Sequence, residues 1–221
     1  IVEAGFENVI MVVGKDFDDF KKQLDNLNFN NKLKIDYAIQ KIPKDRVKPF
    51  GTADAVFQTM DQIEILKNSS FCVCNSDNLY STNSLKTIRE NAYENAVLAY
   101  DRDSLNFPKE RVSSFSILMT DDNFNLLNFI EKPTQEQVDQ NLDSNGKIRV
   151  SMNIFKFNGL QAFDFIKNCP INPIRNEKEL PSAIVNMINE NDLYMKGIPI
   201  AEHVPDLTSK ADINIIQKLI E

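Results

Sequence analysis

Several polar side chains follow or interrupt apolar runs of this sequence, and they are the residues best suited to chemistry. They are Asp77, Glu131, Lys132, Asn153 and Asp206. Ligands of open α/β sheets bind beyond the carboxyl ends of the strands, so residues that end neighbouring strands gather at one edge. Carboxylates at such an edge could hold a divalent cation against a phosphate, and a lysine could bind the phosphate itself.

Each of these residues also has a purely structural interpretation. Asp77 and Asp206 could cap the helices that follow them. Glu131 and Lys132 could form a solvated strand end. Asn153 could mark a bulge or be a hydrogen-bonded amide of the core. Taken singly, none of the functional interpretations is stronger than its structural alternative.

The composition fits one globular domain, residues 1–221, with a single large core. Hydrophobic residues make up 42% of the chain, and 25 Lys and Arg stand against 32 Asp and Glu. The resulting charge of −7 is spread along the chain, which argues against a nucleic-acid surface because such surfaces are basic. No run approaches the roughly 18 apolar residues of a membrane span, so no membrane partner is predicted.

The cysteine and histidine content excludes several classes of site. The chain has one histidine, His203, and three cysteines, Cys72, Cys74 and Cys169. These are too few ligands for a zinc or haem site and leave a Ser-His-Asp triad without support. Buried free thiols are the favoured interpretation of the cysteines, which predicts a reducing, cytoplasmic location.

The first hundred residues alternate between strand and helix patterns. Strands are predicted at Val9–Val13, Lys34–Ile39, Phe71–Cys74 and Val97–Tyr100. Helices are predicted at Asp16–Leu27, Gly51–Leu66 and Asn83–Tyr93, and Lys41–Phe50 is predicted to be a loop. Val9–Val13 and Phe71–Cys74 are compact apolar runs, so both are expected to be buried parallel strands, the second of them central.

The pattern changes after residue 100, where strands dominate. Strands are predicted at Ser113–Met119, Asn125–Ile130, Arg149–Phe157 and Leu193–Ile198, with a hairpin turn at Asp121–Asn123. Helices are predicted at Gly159–Asn168, Glu179–Asn189 and Ser209–Ile220, and Gln135–Lys147 is expected to be a mobile polar loop. The fold class is therefore α/β: a mostly parallel mixed sheet with helices on both faces and a small antiparallel extension.

The strongest functional signal is a series of motifs in a fixed order. They are AGFENVIMVVG from Ala4, KPFGTADAVFQT from Lys48, NSDNLY from Asn75, FIEKP from Phe129, SMNIFKF from Ser151 and PDLTSKADI from Pro205. Together they resemble the sugar-phosphate nucleotidyltransferases, also called nucleoside-diphosphate-sugar pyrophosphorylases. The resemblance covers nearly the whole chain and implies a Rossmann-like, GT-A-like fold.

This resemblance implies a reaction between two polyanions. A sugar-1-phosphate oxygen would attack the α-phosphate of an NTP, pyrophosphate would leave, and an NDP-sugar would form. Mg²⁺ suits this chemistry because it is usually bound by one or two carboxylates together with phosphates and waters. By resemblance, Asp77 and Asp206 are the metal ligands and, with Lys132, the catalytic residues.

The remaining roles also follow from the resemblance. Glu131, Lys132 and Asn153 are expected to bind the sugar phosphate. Gln40, Gly51 and Thr52 are expected to bind the nucleotide, and Thr52 is also a plausible N-cap of its helix. The nucleotide, the sugar and the oligomeric state are left open.

The sequence departs from the family pattern at several points. The family's Gly-rich loop with an arginine, which wraps the triphosphate, is not found in these 221 residues. The first residues resemble a helix end that stops at Gly5, so an N-terminal truncation is expected. Ser76 stands where the family more often has glycine or another small residue, and there is no tryptophan near Asp206.

Two alternatives remain beside the nucleotidyltransferase. The first is a GT-A-type glycosyltransferase, for which an Asp-x-Asp pair would bind the metal. Asp77 is followed by Asn78 and Leu79, which argues against that pair. The second is a catalytically silent homologue that binds a nucleotide sugar or regulates a partner, and it is favoured by the missing triphosphate loop.

Overall fold

A computed structural model describes residues 1–26, 32–190, 193–207, 212, 213 and 217. Its strands are β1 (Asn8–Val13), β2 (Lys34–Ile39), β3 (Ser70–Cys74), β4 (Ala96–Asp101), β5 (Ile117–Thr120), β6 (Leu126–Ile130), β7 (Arg149–Asn158), β8 (Ile171–Asn172), β9 (Glu177–Lys178) and β10 (Lys196–Ile200). The α/β class and the mixed sheet predicted from the sequence are confirmed.

The helices alternate with the strands over most of the chain. They are α1 (Asp18–Asp25), α2 (Thr52–Gln62), α3 (Thr82–Glu90), α4 (Lys109–Val112), α5 (Gln135–Gln140), α6 (Gly159–Lys167) and α7 (Leu180–Asn189), with 3₁₀ turns at Glu64–Asn68 and Arg102–Ser104. The predicted helix Ser209–Ile220 falls mostly outside the described residues. Leu27, the last residue of the predicted helix Asp16–Leu27, also lies outside them. No helix in the described ranges is long and apolar enough to cross a bilayer.

The contacts divide the chain into two compact units. Unit one consists of Ile1–Ser70 and Asn158–Met187, and unit two of Phe71–Phe157 and Ile188–Glu221. In unit one, β1 and β2 pair in parallel, and β8 and β9 form a small antiparallel hairpin. The parallel pairing of β1 is confirmed, but its predicted burial is wrong: Val12 is 41% exposed, because this sheet has only two described strands to cover it.

Two glutamines dock α2 against the free edge of β2. Gln62 exchanges two hydrogen bonds of 3.0 Å with the backbone N–H and C=O of Ile39. Gln58, one turn earlier, does the same with Lys41 at 2.8 and 3.0 Å. Side-chain amides therefore satisfy backbone groups that a neighbouring strand would otherwise pair, and they fix α2 against the end of β2.

Unit two contains the larger sheet, with strand order β10-β4-β7-β5-β6 and β3 paired to β7. β10 and β4 are parallel, whereas β4 with β7, β5 with β6 and β5 with β7 are antiparallel. Every residue of β4 is buried, and both of its edges are paired. The predicted hairpin at Asp121–Asn123 is confirmed.

The prediction that Phe71–Cys74 is a central strand buried on both faces is wrong. β3 is only partly buried, and Cys74 at its end is exposed. Among the described strands it pairs with β7 alone, so one of its edges has no partner strand there, whereas both edges of β4 are paired. All three cysteines are free, as predicted, but only Cys169 is fully buried.

The segment Gln135–Lys147 was predicted to be a mobile loop and instead begins with a helix. Thr134 and Gln137 form a reciprocal capping box at the start of α5. A turn follows in which the Asp143 carboxylate accepts hydrogen bonds from the backbone of Asn145 and Lys147 and from the Arg149 Nε, at 2.7–2.9 Å. Burial alone would raise the pKa of Asp143, but these hydrogen bonds outweigh it and lower the pKa.

We expect Asp143→Asn to lower the free energy of unfolding by about 3 kcal/mol at pH 7, because it leaves the buried Arg149 without its charge partner. A carboxyl whose pKa is lowered by folding stabilises the protein above its unfolded pKa of about 3.9 and loses that effect as the pH falls. Urea unfolding at several pH values measures this. The gap between the variant and wild type should begin to narrow near pH 4 and close as the pH falls through the lowered pKa of Asp143, and equal stabilities at pH 7 would contradict the prediction.

Candidate active site

A backbone bridge joins the two segments that carry the candidate metal carboxylates Asp77 and Asp206. After β3 the chain turns, and Asn78 then pairs antiparallel with Asp206. The N–H of Leu207 donates to the carbonyl of Asp77 at 2.8 Å, and the N–H of Leu79 donates to the carbonyl of Pro205 at 2.7 Å. Asp77 is opposite Leu207 in this register, so Asp77 and Asp206 are each one residue from the other's backbone partner in the bridge.

The described part of the chain offers few metal ligands besides these two carboxylates. Within the described ranges, no group of three or more His, Cys, Asp or Glu side chains could hold a metal ion. Asp77 is exposed, whereas the Asp206 side chain is only 11% exposed. Mg²⁺ would not need a larger group of side chains, because it is usually held by one or two carboxylates together with phosphates and waters.

The same bridge is tied to β7 through side chains that the sequence did not single out. The Asn78 amide donates to the carbonyl of Met152 and to the Tyr80 hydroxyl, both at 3.0 Å. The buried Tyr80 hydroxyl in turn donates to the Met152 carbonyl at 2.6 Å. Burial raises the pKa of Tyr80, so this phenol remains a hydrogen-bond donor.

Asn153 lies at the tip of a bulge in β7. Val97 pairs with Phe155 and Ala99 with Ser151, so the three residues centred on Asn153 face the one residue between Val97 and Ala99. Asn153 has a φ of 55° and is exposed between buried neighbours. The bulge interpretation is therefore confirmed, and the amide is not part of the core. A left-handed backbone at a non-glycine residue is a strained conformation that often marks functional sites.

Glu131 and Lys132 are exposed at the end of β6. Ile130 and Val150 both pair with Ile117 of β5, and β6 and β7 are both antiparallel to β5. β6 and β7 therefore run in the same direction, with Ile130 and Val150 at the same height along β5. Lys132 and Asn153 both come after that height in the direction of their strands. Lys132 also has a positive φ, 46°, and has no ion-pair partner in the described part of the chain.

The nucleotide-binding candidates lie together in unit one, where most of their polar groups have structural partners. The Gln40 amide donates to the Gly51 carbonyl at 3.1 Å and to the Asp54 carboxylate at 2.9 Å. The prediction that Thr52 is an N-cap is wrong, because Gly51 holds that position and Thr52 is the first residue of α2. The Thr52 hydroxyl instead accepts from the N–H of Leu180 at 2.9 Å, so it joins α2 to α7.

Gly51 is required by its backbone and its surroundings. Its φ is 100°, and a Cβ there would lie 2.3 Å from the carbonyl oxygen of Lys178. The N–H of Lys178 also donates to the carbonyl of Phe50 at 2.8 Å, which holds β9 against this turn. The glycine therefore permits the close approach of β9 to the start of α2.

Comparison with known proteins decides the family. The model of the family described as "Nucleotidyl transferase" matches residues 1–199. The chain belongs to this nucleotidyl transferase family. Its motifs from Gly51 to Asn153 fall within the matched range.

Curated relatives of this nucleotidyl transferase chain share its sequence only in part. Glucose-1-phosphate adenylyltransferase of Photobacterium profundum is 30% identical over 84 residues, which cover 38% of this chain and 20% of the relative. The enzyme of the same name from Paramagnetospirillum magneticum is 29% identical over 128 residues, covering 56% and 28%. The matched parts of the chain thus span only 20% to 28% of the length of these relatives.

Sequence reasoning missed an arginine beside the metal candidates of this nucleotidyl transferase chain. Arg111, in α4, hydrogen-bonds the Asp206 carboxylate, and its guanidinium stacks on the Phe107 ring at 4.5 Å. His203 packs edge-on against the same ring at 4.8 Å, and its Nδ1 accepts from the N–H of Asn106. Burial and the nearby Arg111 charge both lower the pKa of His203, in keeping with a neutral acceptor.

A second missed residue, Glu202, fixes the segment that carries Asp206. Its carboxylate accepts from the Ser81 and Ser84 hydroxyls and from the Asn83 amide, and Ser84 in turn accepts from Tyr100. Burial would raise the pKa of Glu202, but these three hydrogen bonds lower it. The network ties the segment to the start of α3, which follows the Asp77 turn directly.

Proposed function

We propose that this chain catalyses Mg²⁺-dependent transfer of a nucleotidyl group from an NTP to a sugar-1-phosphate, releasing pyrophosphate and forming an NDP-sugar. The observation that carries the proposal is the backbone bridge between Asn78 and Asp206, which joins the Asp77 turn to the Asp206 segment. Family membership supports nucleotidyl transfer, and the bridge supports a metal site for it. The sugar-1-phosphate and the metal are the specific parts of this proposal.

The reaction needs charge cancellation and positioning more than covalent chemistry. When bound, the metal would neutralise phosphate oxygens at the reacting centre. Asp77 and Asp206 are the residues that would hold it. The bulge at Asn153 and the bridge at Asn78 are tied through the Met152 carbonyl, so they form one pre-organised support.

The sugar phosphate is assigned to the residues beyond the ends of β6 and β7. Lys132 offers a compact cation for the phosphate, and no internal ion pair among the described residues competes for it. The exposed Asn153 amide can both donate to and accept from sugar hydroxyls. Glu131 accepts from hydroxyls at the same strand end. The relatives' names make glucose 1-phosphate and ATP the first pair to test.

The nucleotide is assigned to the turn that begins α2. The donor of the Gln40 amide is already used by Gly51 and Asp54, so its carbonyl oxygen is the group we assign to the base. Asp54 is buried and also accepts from Gln58, which makes this turn rigid. The backbone at Gly51 and Thr52 completes the proposed base contact.

Pyrophosphate release from panels of NTPs and sugar-1-phosphates tests the proposal. The protein should be made from its full reading frame. We expect release only when an NTP, a sugar-1-phosphate and Mg²⁺ are all present. If no pair in a broad panel releases pyrophosphate, while nucleotide sugars still bind, the protein is a silent binding homologue and the proposal fails.

A lysine substitution tests the sugar-phosphate assignment. We expect Lys132→Ala to raise the KM for the sugar-1-phosphate about 10- to 100-fold with a smaller change in kcat, because it removes a charged hydrogen-bond donor. Lys86→Ala, which removes an exposed lysine on α3, is the matched control and should have little effect. A sugar-phosphate KM equal to that of wild type in the Lys132 variant would make Lys132 an ordinary surface charge.

A further inference from the structure

The Asp206 carboxylate is paired with a cationic side chain of the chain itself, Arg111. The Arg111 guanidinium hydrogen-bonds the Asp206 carboxylate and lies 3.9 Å from the Asp212 carboxylate. The pair is largely withdrawn from solvent, with the arginine side chain 26% exposed and the aspartate 11%. The Phe107 ring supports the guanidinium from one side at 4.5 Å. A candidate metal ligand is therefore already neutralised by the chain itself.

An arginine and a divalent cation compete for the same carboxylate. A cation binds most strongly to a carboxylate whose charge is not already cancelled, and the attraction is strongest where solvent is excluded. The arginine must move away or share the carboxylate before a metal can bind Asp206 well. Separating a partly buried ion pair has a large cost, so the pair opposes metal binding.

We propose that Arg111 is a built-in competitor for the divalent cation at Asp206, which the cation displaces on binding. This inference rests on the proposed function, because it takes Asp206 as a metal ligand. Displacement releases the donors that now bind Asp206, while the guanidinium stays on the Phe107 ring beside the site. A planar guanidinium in that place suits a phosphate oxygen of a substrate.

A structural role for Arg111 makes a different prediction. If the arginine only holds the Asp206 segment in place, removing it would loosen the segment and weaken metal binding. If it competes with the metal, removing it would strengthen metal binding. Direct measurement of the metal affinity separates the two, without reference to activity.

The test is a titration of Mn²⁺, an oxygen-binding substitute for Mg²⁺, followed by electron paramagnetic resonance of the free ion. The protein from the full reading frame is compared with Arg111→Gln and Arg111→Lys. We expect the glutamine variant to bind Mn²⁺ about tenfold more tightly than wild type. The lysine variant, which keeps a charge but loses the planar fork, should tighten binding less. Unchanged or weaker binding in the glutamine variant would overturn the proposal.

Two controls make the result specific. Arg89→Gln removes the same charge from an exposed pair with Glu90 on α3, and should leave Mn²⁺ affinity as in wild type. Circular dichroism checks that each variant is folded. If the glutamine variant does not fold, the lysine variant decides: affinity equal to or below that of wild type would refute competition.

Asp206→Asn distinguishes failure of this inference from failure of the proposed function. If this variant binds Mn²⁺ as wild type does, Asp206 is not a metal ligand and both proposals fail. If the Asp206→Asn variant no longer binds Mn²⁺ while the affinity of Arg111→Gln equals that of wild type, the metal site stands and only the competition is refuted.

Discussion

Replacing Asp77 with asparagine should lower kcat for pyrophosphate release by about 10²–10³-fold and leave the fold intact. The change removes the carboxylate charge but little volume. The hydrogen bond from the N–H of Leu207 goes to the Asp77 backbone carbonyl, so the bridge itself should survive. Steady-state kinetics at saturating Mg²⁺, with circular dichroism for the fold, measure both effects.

Asp122→Asn is the matched control for this prediction. Asp122 is exposed in the hairpin turn between β5 and β6, so the substitution makes the same chemical change away from the bridge. It should leave kcat unchanged. Turnover and Mg²⁺ dependence equal to wild type in the Asp77 variant would remove Asp77 from the site.

The second large effect is on stability. Gly51→Ala should lower the free energy of unfolding by about 3–5 kcal/mol. Its φ of 100° is a conformation that residues with a Cβ rarely adopt, and the added Cβ would lie 2.3 Å from the Lys178 carbonyl oxygen. β9 or α2 would have to shift, which would also disturb Gln40. Urea unfolding measures the loss.

The Gly146→Ala variant separates the cost of a positive φ from the cost of the steric clash. Gly146 also has a positive φ, 71°, but nothing lies within 4 Å of its missing Cβ. Its substitution should therefore cost only about 1–2 kcal/mol. Equal losses in the two variants would show that the contact with Lys178 contributes nothing.

Local patterns predicted most elements of this fold but not their neighbours. The alternation in Lys34–Ile39 gave β2 with its observed bounds, because period-two patterns are set within the strand. The apolar runs at β3 and β4 look alike in sequence, yet only β4 is fully buried. The difference lies in what packs around each strand in the folded protein, and that is a tertiary property.

Two features that the sequence analysis missed do have a local sequence pattern. Thr134 and Gln137 have the spacing of a capping box, and attention to it would have predicted α5 instead of a mobile loop. The placement of Gly51 at the N-cap was also open to sequence reasoning, since glycine is accepted there.

The candidate site was predicted from motif order, and its supports were not. Asp77 and Asp206 are far apart in sequence; the rule that strand ends share a sheet edge allowed them to be close, and the family resemblance singled them out as a pair. The supporting residues contact partners that are distant in sequence, and no local sequence pattern identifies them. They are Arg111, Glu202 and Asn78. Charged and amide side chains of this kind acquire their roles only when the chain has folded.

A Mg²⁺ titration of pyrophosphate release tests the central claim most directly, with wild type compared with Asp77→Asn and Asp206→Asn. The NTP and the sugar-1-phosphate are held constant. We predict a saturable Mg²⁺ dependence in wild type and its loss in both variants. Release without any divalent cation, or a wild-type Mg²⁺ curve in either variant, would contradict a metal site built from Asp77 and Asp206.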